Sequence, residues 1–359
     1  MDENLIYLYM LQSFAGFGCQ RIQRIWQRWK DWPAVCRSAR WDDWKDLGIS
    51  RDLFVEWRAY YRRERTALKK KWKILVSSGV RAISYWSEDY PQLLREIYSP
   101  PVILFYKGNL DCLSSKCLAV IGTRRSSDYG KRVVRSLVSS LTGYGWTVVS
   151  GMAFGIDSLA HWTAIRHGVL TIAVVGGSLD KAYPRSNQKL FDRIIDSGGL
   201  VLSEHDWDKV AEPWHFPARN RIVSGICQAV LVVEAPQKSG AKITARLALE
   251  QNRPVLVVPG SIYNSGSFGC NELIKEGAIP INSINDILLE LGEKVMEKSV
   301  RYQAKNEIET VLLKQLKRGS QALDELNLKE VSAATILAHL NELQLKGVVV
   351  ENKGRWELV

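Results

Sequence analysis

The run Phe216, Pro217, Ala218, Arg219, Asn220, Arg221 sets two guanidinium groups around an amide where a loop enters a helix. A helix start carries free backbone N–H groups and partial positive charge, so arginines placed there suit a phosphate or another anion. Phe216 adds a flat ring on which a base can stack. The same six residues would also make a surface turn whose arginines pair with carboxylates. Gly122, Thr123, Arg124, Arg125 repeats the chemistry after an apolar stretch: a glycine for close backbone approach, a hydroxyl, and a guanidinium able to grip phosphate with two parallel bonds. Ser239, Gly240, Ala241, Lys242, Ile243, Thr244 supplies backbone amides, hydroxyls and a lysine at a third helix start, and reads equally as an ordinary strand-to-helix turn.

Catalytic constellations are harder to assemble. Ser150, Gly151, Met152, Ala153, Phe154, Gly155, Ile156, Asp157 opens another helix, with His161 one turn beyond Asp157. That spacing fits an acid–base couple, but it fits a hydrogen-bonded structural pair better. Asp180, Glu204 and Glu234 stand near strand ends, where a hydrolase would put its carboxylates. Five histidines offer no Ser/His/Asp or Cys/His nucleophile arrangement. No GxGxxG follows a strand and no GxxxxGK[ST] occurs, so neither the dinucleotide fingerprint nor the ATPase loop is present. These residues describe a binding edge with no catalytic group, no metal and no cofactor.

The elements that must position them are short β-branched runs alternating with helical stretches, the pattern of a parallel sheet covered on both faces. Strands are expected at 118–121, 147–150, 171–175, 200–203, 229–234, 254–258 and 278–281. In a doubly wound sheet the loops that follow them line one edge, and ligands bind there. Residues 1–72 read as all helix, with a Gly16, Phe17, Gly18 connection resembling a helix–hairpin–helix turn. Residues 73–292 hold the α/β domain, 293–305 a polar linker, and 306–359 a small domain on the plan of a winged helix. In that last domain 322–326 and 331–345 are expected helices, separated by 327–330 and followed by two strands around a turn at 352–354.

Charge is placed unevenly. The net charge is +11, and residues 1–75 carry 16 Lys and Arg against 9 Asp and Glu, together with seven of the 13 tryptophans. Basic side chains interleaved with aromatics suit a polyanion that also has bases to stack, although tryptophans at helical spacing more often form a core. Arg62, Arg63, Arg65, Lys69, Lys70 and Lys71 read as a solvated helical face. No apolar run reaches the roughly 20 residues of a membrane helix, and Asp2 and Glu3 stand where a signal peptide would be basic. The expected setting is the cytoplasm, without membrane insertion. Cys19, Cys36, Cys112, Cys117, Cys227 and Cys270 form no CxxC pair and are expected as reduced thiols.

Taken together, the motifs resemble those of the DNA processing protein A family (DprA, also called Smf). The resemblance rests on Asp89, Tyr90, Pro91, Leu94, Pro100 and Pro101, then VIGTRRSSDYG from Val120, SGMAFGIDSLAH from Ser150, TIAVVGGSLDKAYPRSN from Thr171, FPARNRIVSG from Phe216 and VVEAPQKSGAKITA from Val232. It implies an extended Rossmann-like, doubly wound, mainly parallel sheet, an N-terminal helical SAM-like domain and a C-terminal winged helix. It also implies a non-catalytic protein that binds incoming single-stranded DNA in natural transformation, protects it and loads the RecA recombinase, working as a homodimer. Carried over position by position, the DNA pocket would use Gly122, Thr123, Arg124, Ser150, Gly151, Phe216, Arg219, Asn220, Arg221, Ser239, Gly240 and Thr244, with Lys242 as an added phosphate contact. Two residues depart from the family pattern: Ser178 stands where a glycine is usual, and Lys242 where an apolar residue is usual. Two competing readings are a nucleotide phosphoribohydrolase of the lysine-decarboxylase-like class, whose PGGxGTxxE run is reduced here to Pro259, Gly260, Ser261, and an adaptor working only through its winged helix.

Overall fold

The computed structural model describes residues 3–38, 40–206, 212–293, 304–317, 319–326, 328, 331–352 and 354–358. The chain divides into two units, Met1–Glu293 and Lys294–Val359. The first begins with helices α1 (Glu3–Gln12), α2 (Cys19–Trp29), α3 (Trp32–Ser38) and the long α4 (Arg51–Ser77). Trp44 and Trp57 are fully buried, and Trp32 and Trp72 nearly so, in one aromatic core with Tyr9, Phe17 and Phe54. The tryptophans are therefore core, and the positive charge stays on the outer faces of these helices. Helix α4 runs on through residue 72, and its Trp72 ring lies 6.4 Å from Phe105 of the sheet, so helices and sheet share that core.

The chain then alternates as the apolar runs require: β1 (Arg81–Ser84), α5 (Gln92–Arg95), β2 (Ile103–Gly108), β3 (Lys116–Gly122), α6 (Asp128–Ser139), β4 (Trp146–Ser150), α7 (Ile156–Arg166), β5 (Thr171–Val175), α8 (Gln188–Asp196), β6 (Leu200–Ser203), α9 (His215–Gly225), β7 (Ala229–Glu234), α10 (Gly240–Glu250), β8 (Val255–Val257), α11 (Phe268–Lys275), β9 (Ile279–Pro280) and α12 (Ile284–Glu290). All seven expected strands form. Among the described residues they join a nine-stranded sheet in the order β1-β2-β6-β5-β4-β3-β7-β8-β9, parallel from β6 to β9, with β1 and β2 added antiparallel. Both faces are covered, which is why the strands are apolar throughout: Leu118 and Val120 of β3 pack under α6 and α7, while Ala119 and Ile121 face α9 and α10. The chain builds outward from β3 through β4 and β5 to β6 and then returns by α9 to lay β7 against the other side of β3. That reversal of strand order opens a crevice at the carboxyl ends of β3 and β7, the place where such sheets bind ligands.

The second unit contains α13 (Glu307–Leu316), β10 (Gln321–Ala322), α14 (Ala333–Leu345), β11 (Val349–Asn352) and β12 (Arg355–Leu358), with a small core of Leu312, Leu316, Leu326, Ile336, Leu340, Leu343 and Trp356. Its three strands form an antiparallel sheet in the order β10-β12-β11. Residues 322–326, expected as a helix, are instead the end of β10 and a turn. The apolar spacing of Leu323 and Leu326 imitates one helical turn, but five residues cannot offset the cost of nucleating a helix, and Gln321 and Ala322 gain strand pairing with Trp356 and Arg355. Most of the expected linker, 294–303, lies outside the described residues, as does part of 327–330. No helix among the described residues is long and apolar enough to cross a membrane.

Candidate nucleic-acid interface

A cleft of about 640 Å³ opens where β3 and β7 part. Its first wall is the loop after β3. Here Thr123 N–H donates to the Glu234 carbonyl at 2.7 Å, Ser127 N–H to the Glu234 carboxylate at 2.9 Å, and Ile156 N–H to the Thr123 carbonyl at 3.2 Å. The loop is thus laced to β7 and to the start of α7. Gly155, at φ +76°, allows that closeness, because a Cβ there would run into the Thr123 carbonyl. Laced in this way, the loop presents Arg124 and Arg125 to solvent, and neither pairs with a carboxylate among the described residues.

The opposite wall is the first turn of α9. Phe216 and Asn220, one turn apart, both line the cleft. The Arg124 guanidinium lies 5.7 Å from the Phe216 ring centroid, and the Tyr183 ring lies 5.2 Å from Phe216 at 36°. Lys238, Ser239 and Gly240 close the third side at the start of α10, where Ser239 Oγ accepts from Ala241 N–H. Gly240 has open space where a side chain would be. The result is a cationic groove with two half-exposed aromatic rings and two helix starts directed at it.

Arg219 has a different place from the other cations. It reaches the cleft floor but is almost fully buried, and its Nη1 donates to the carbonyls of Gly151 (2.6 Å) and Val174. It therefore straps the ends of β4 and β5 to α9. Gly151 is required by this contact, since a Cβ would fall on the guanidinium. Burial pulls the Arg219 pKa down to about 10, partly offset by the Asp157 carboxylate. Asp157 is itself buried, which raises its pKa, and its Oδ2 accepts from Gly151 N–H at 3.1 Å.

Ten of the thirteen expected residues line the cleft: Gly122, Thr123, Arg124, Gly151, Phe216, Arg219, Asn220, Ser239, Gly240 and Thr244. Three are placed elsewhere. Ser150 Oγ donates to the Val120 carbonyl inside the sheet, Arg221 pairs with Glu204 at 2.6 Å, and Lys242 pairs with Glu272 at 2.6 Å beside α11. Arg125, Lys238 and Tyr183 also line the cleft without having been singled out as site residues, and the buried Asp157 carboxylate lies in its lining too. Arg125 and Lys238 adjoin chosen residues in strand-end loops and could have been read from that position. Tyr183 lies eight residues past the end of β5, inside the quoted run from Thr171 but with no residue type beside it that points to the cleft.

Asp157 and His161 do not act as a couple. With the Thr171 hydroxyl proton given to the Val148 carbonyl (2.9 Å), His161 Nδ1 must be the donor in its 2.7 Å contact with Thr171 Oγ1. The ring is neutral, and burial, helped by the Arg219 charge, holds its pKa down at about 3. Below pH 6.5 the unfolded chain binds a proton here that the folded chain refuses, so stability falls by up to about 1.4 kcal/mol per pH unit between roughly pH 6.5 and 3. His161→Gln removes that contribution. Urea unfolding at pH 7 and pH 5 should therefore show a clearly flatter pH slope for the variant than for the parent; identical slopes would contradict this placement of His161. The strand-end carboxylates are held as well: Asp180 by the Ser178 hydroxyl, Glu204 by Arg221 and Glu234 by Ser127 N–H.

The family model described as DNA recombination-mediator protein A matches residues 81–292, the whole of the nine-stranded sheet with its covering helices. The chain belongs to this family. The DNA processing protein DprA of Bacillus subtilis (strain 168) is 42% identical over 217 residues, covering 60% of this chain and 73% of that protein. DprA of Streptococcus pneumoniae (strain ATCC BAA-255 / R6) is 41% identical over 248 residues, covering 69% and 86%. The crystal structure of DprA from S. pneumoniae superimposes with a TM-score of 0.71 at 36% identity, covering 82% of this chain and all of that one. DNA processing protein A from Helicobacter pylori, solved for its single-stranded DNA binding mode, gives 0.54 at 33% identity over 59% of this chain and 95% of its own. The expected resemblance and Rossmann-like fold are both borne out, and DprA membership places the chain among DNA-processing proteins of recombination.

Proposed function

We propose that this chain is a non-catalytic single-stranded DNA-binding protein that holds the strand in the β3/β7 cleft, protects it in DNA uptake and passes it to the RecA recombinase as a homodimer. The observation that carries the DNA-binding reading is the cleft's composition: Arg124, Arg125 and Lys238 line it together with the Phe216 and Tyr183 rings, and no carboxylate among the described residues pairs with the two arginines. Cations without counter-ions beside accessible rings match a ligand that alternates phosphates with bases. Binding through phosphates and stacked rings is sequence-tolerant, so little sequence preference is expected. The H. pylori relative supports the same ligand. The second unit, with its helix pair and antiparallel three-stranded sheet, is assigned the winged-helix role of a secondary contact; its charge of nine Lys and Arg against eight Asp and Glu over residues 300–359 suits a protein partner better than duplex. Fluorescence anisotropy of an oligothymidine strand across a salt series tests the proposal. About three or four phosphate contacts predict a log K against log[salt] slope of about −2 to −3.

A further inference from the structure

The N-terminal helices carry a second cavity, of about 470 Å³, lined by Tyr7, Arg37, Tyr61, Arg65, Thr66 and Lys69. Three cations from two different helices meet there, and no carboxylate among the described residues lines it. Arg37 Nη2 donates to the Tyr7 hydroxyl at 2.9 Å, the Arg37 guanidinium lies 5.2 Å from the Tyr7 ring centroid, and Lys69 Nζ lies 5.9 Å from it. Arg65 and Lys69 are also an i, i+4 like-charge pair, which by itself disfavours the helix.

The sequence of α4 extends this arrangement into a line. At 100° per residue, Arg62, Arg65, Lys69 and Lys73 fall within an arc of about 80°, and all four are exposed. They span about 16 Å at 1.5 Å per residue. The three carboxylates of the helix, Asp52, Glu56 and Glu64, fall on other faces. Arg63, Lys70 and Lys71 share those other faces with the carboxylates, so the stripe is the face of the helix whose charges are cations alone. The line belongs to the same body as the cleft: Tyr9 Oη donates to Asp206 at 2.6 Å and Lys71 pairs with Asp206 at 2.7 Å, and Asp206 follows β6 at the sheet edge that carries the cleft.

We infer that the α4 stripe of Arg62, Arg65, Lys69 and Lys73, with its Tyr7 and Tyr61 cavity, is a second contact for the phosphate backbone of a single strand whose other part lies in the β3/β7 cleft. This rests on the proposed function. A row of evenly spaced cations beside tyrosine rings fits a repeating polyanion with stackable bases better than it fits an acidic protein surface, which would require matched individual pairs.

The test compares oligothymidines of about 6 and about 24 nucleotides, the first short enough for one site and the second beyond the roughly 4–16 nucleotides a single binding fold engages. The full chain, its Arg65→Glu/Lys69→Glu variant, and an Arg132→Glu/Arg135→Glu control with the same charge change on α6 are used. The stripe variant should lose at least about tenfold in affinity for the long strand, and its salt slope should shrink by about 1.4, two phosphates' worth. Its affinity for the short strand should stay near that of the parent, and the control should bind both strands as the parent does. An unchanged long-strand affinity and slope, or an equal loss in the control, would overturn the inference. Failure of the cleft reading looks different: the parent would not bind the short strand, while the stripe variant would still lose the long one.

Discussion

Arg219→Ala is expected to lower folding stability by about 3–5 kcal/mol, the largest effect of any single substitution at the cleft. The alanine leaves the buried Asp157 carboxylate without its counter-charge and leaves the Gly151 and Val174 carbonyls without their shared donor. Strand ends β4 and β5 would then be free to separate from α9, so oligothymidine binding should fall as well. Arg219→Lys restores the charge but places it on a compact ammonium, which cannot reproduce the planar guanidinium's reach, and should recover only part of the loss. Urea unfolding of the three proteins checks this. A change under about 1 kcal/mol for Arg219→Ala would mean that the arginine is a ligand contact and not a strap.

Phe216→Ala combined with Arg124→Ala should produce the largest loss of DNA affinity, with a smaller effect on stability. Phe216 lies at the cleft wall, partly buried against the exposed Tyr183 ring, and Arg124 is exposed and unpaired among the described residues, so their loss should cost the folded state far less than it costs DNA binding. Removing a ring that stacks a base costs about 1–3 kcal/mol. Removing the arginine should cost at least about 1.4 kcal/mol, or tenfold. Because the two side chains touch, the double variant is expected to lose less than the product of the single losses. Anisotropy with oligothymidine measures all three. Parent-like affinity in both single variants would place the strand elsewhere, and the α4 stripe would be the first place to look.

Most of the sheet was readable in the sequence because its strands are buried on both faces and mainly apolar, as in the runs Thr171–Val175 and Ala229–Glu234. Strand β1 was not, since Arg81–Ser84 is short and half exposed and pairs at the edge, and β2 was missed although Ile103–Tyr106 is apolar and buried inside the sheet. Loops that follow parallel strands share an edge whatever their distance in sequence, which is why Gly122–Arg124, Phe216 and Ser239–Gly240 could be grouped before any coordinates. What the sequence could not settle is which way each cation turns. Arg219 and Arg221 stand two residues apart on α9, about 200° around the helix, so one enters the cleft floor and the other meets Glu204. Lys242 likewise lies on the side of α10 that faces Glu272. Those outcomes depend on partners brought in by the fold from positions 174, 204 and 272, which no local pattern around the arginines or the lysine reveals.

The central claim, that the β3/β7 cleft grips the backbone of a single strand, is tested most directly by the salt dependence of oligothymidine binding, measured beside a blunt duplex of equal length. The account predicts a slope of about −2 to −3 for the single strand and distinctly weaker binding of the duplex, whose bases are not free to stack on Phe216 and Tyr183. A slope near zero, or equal affinity for the duplex, would contradict it.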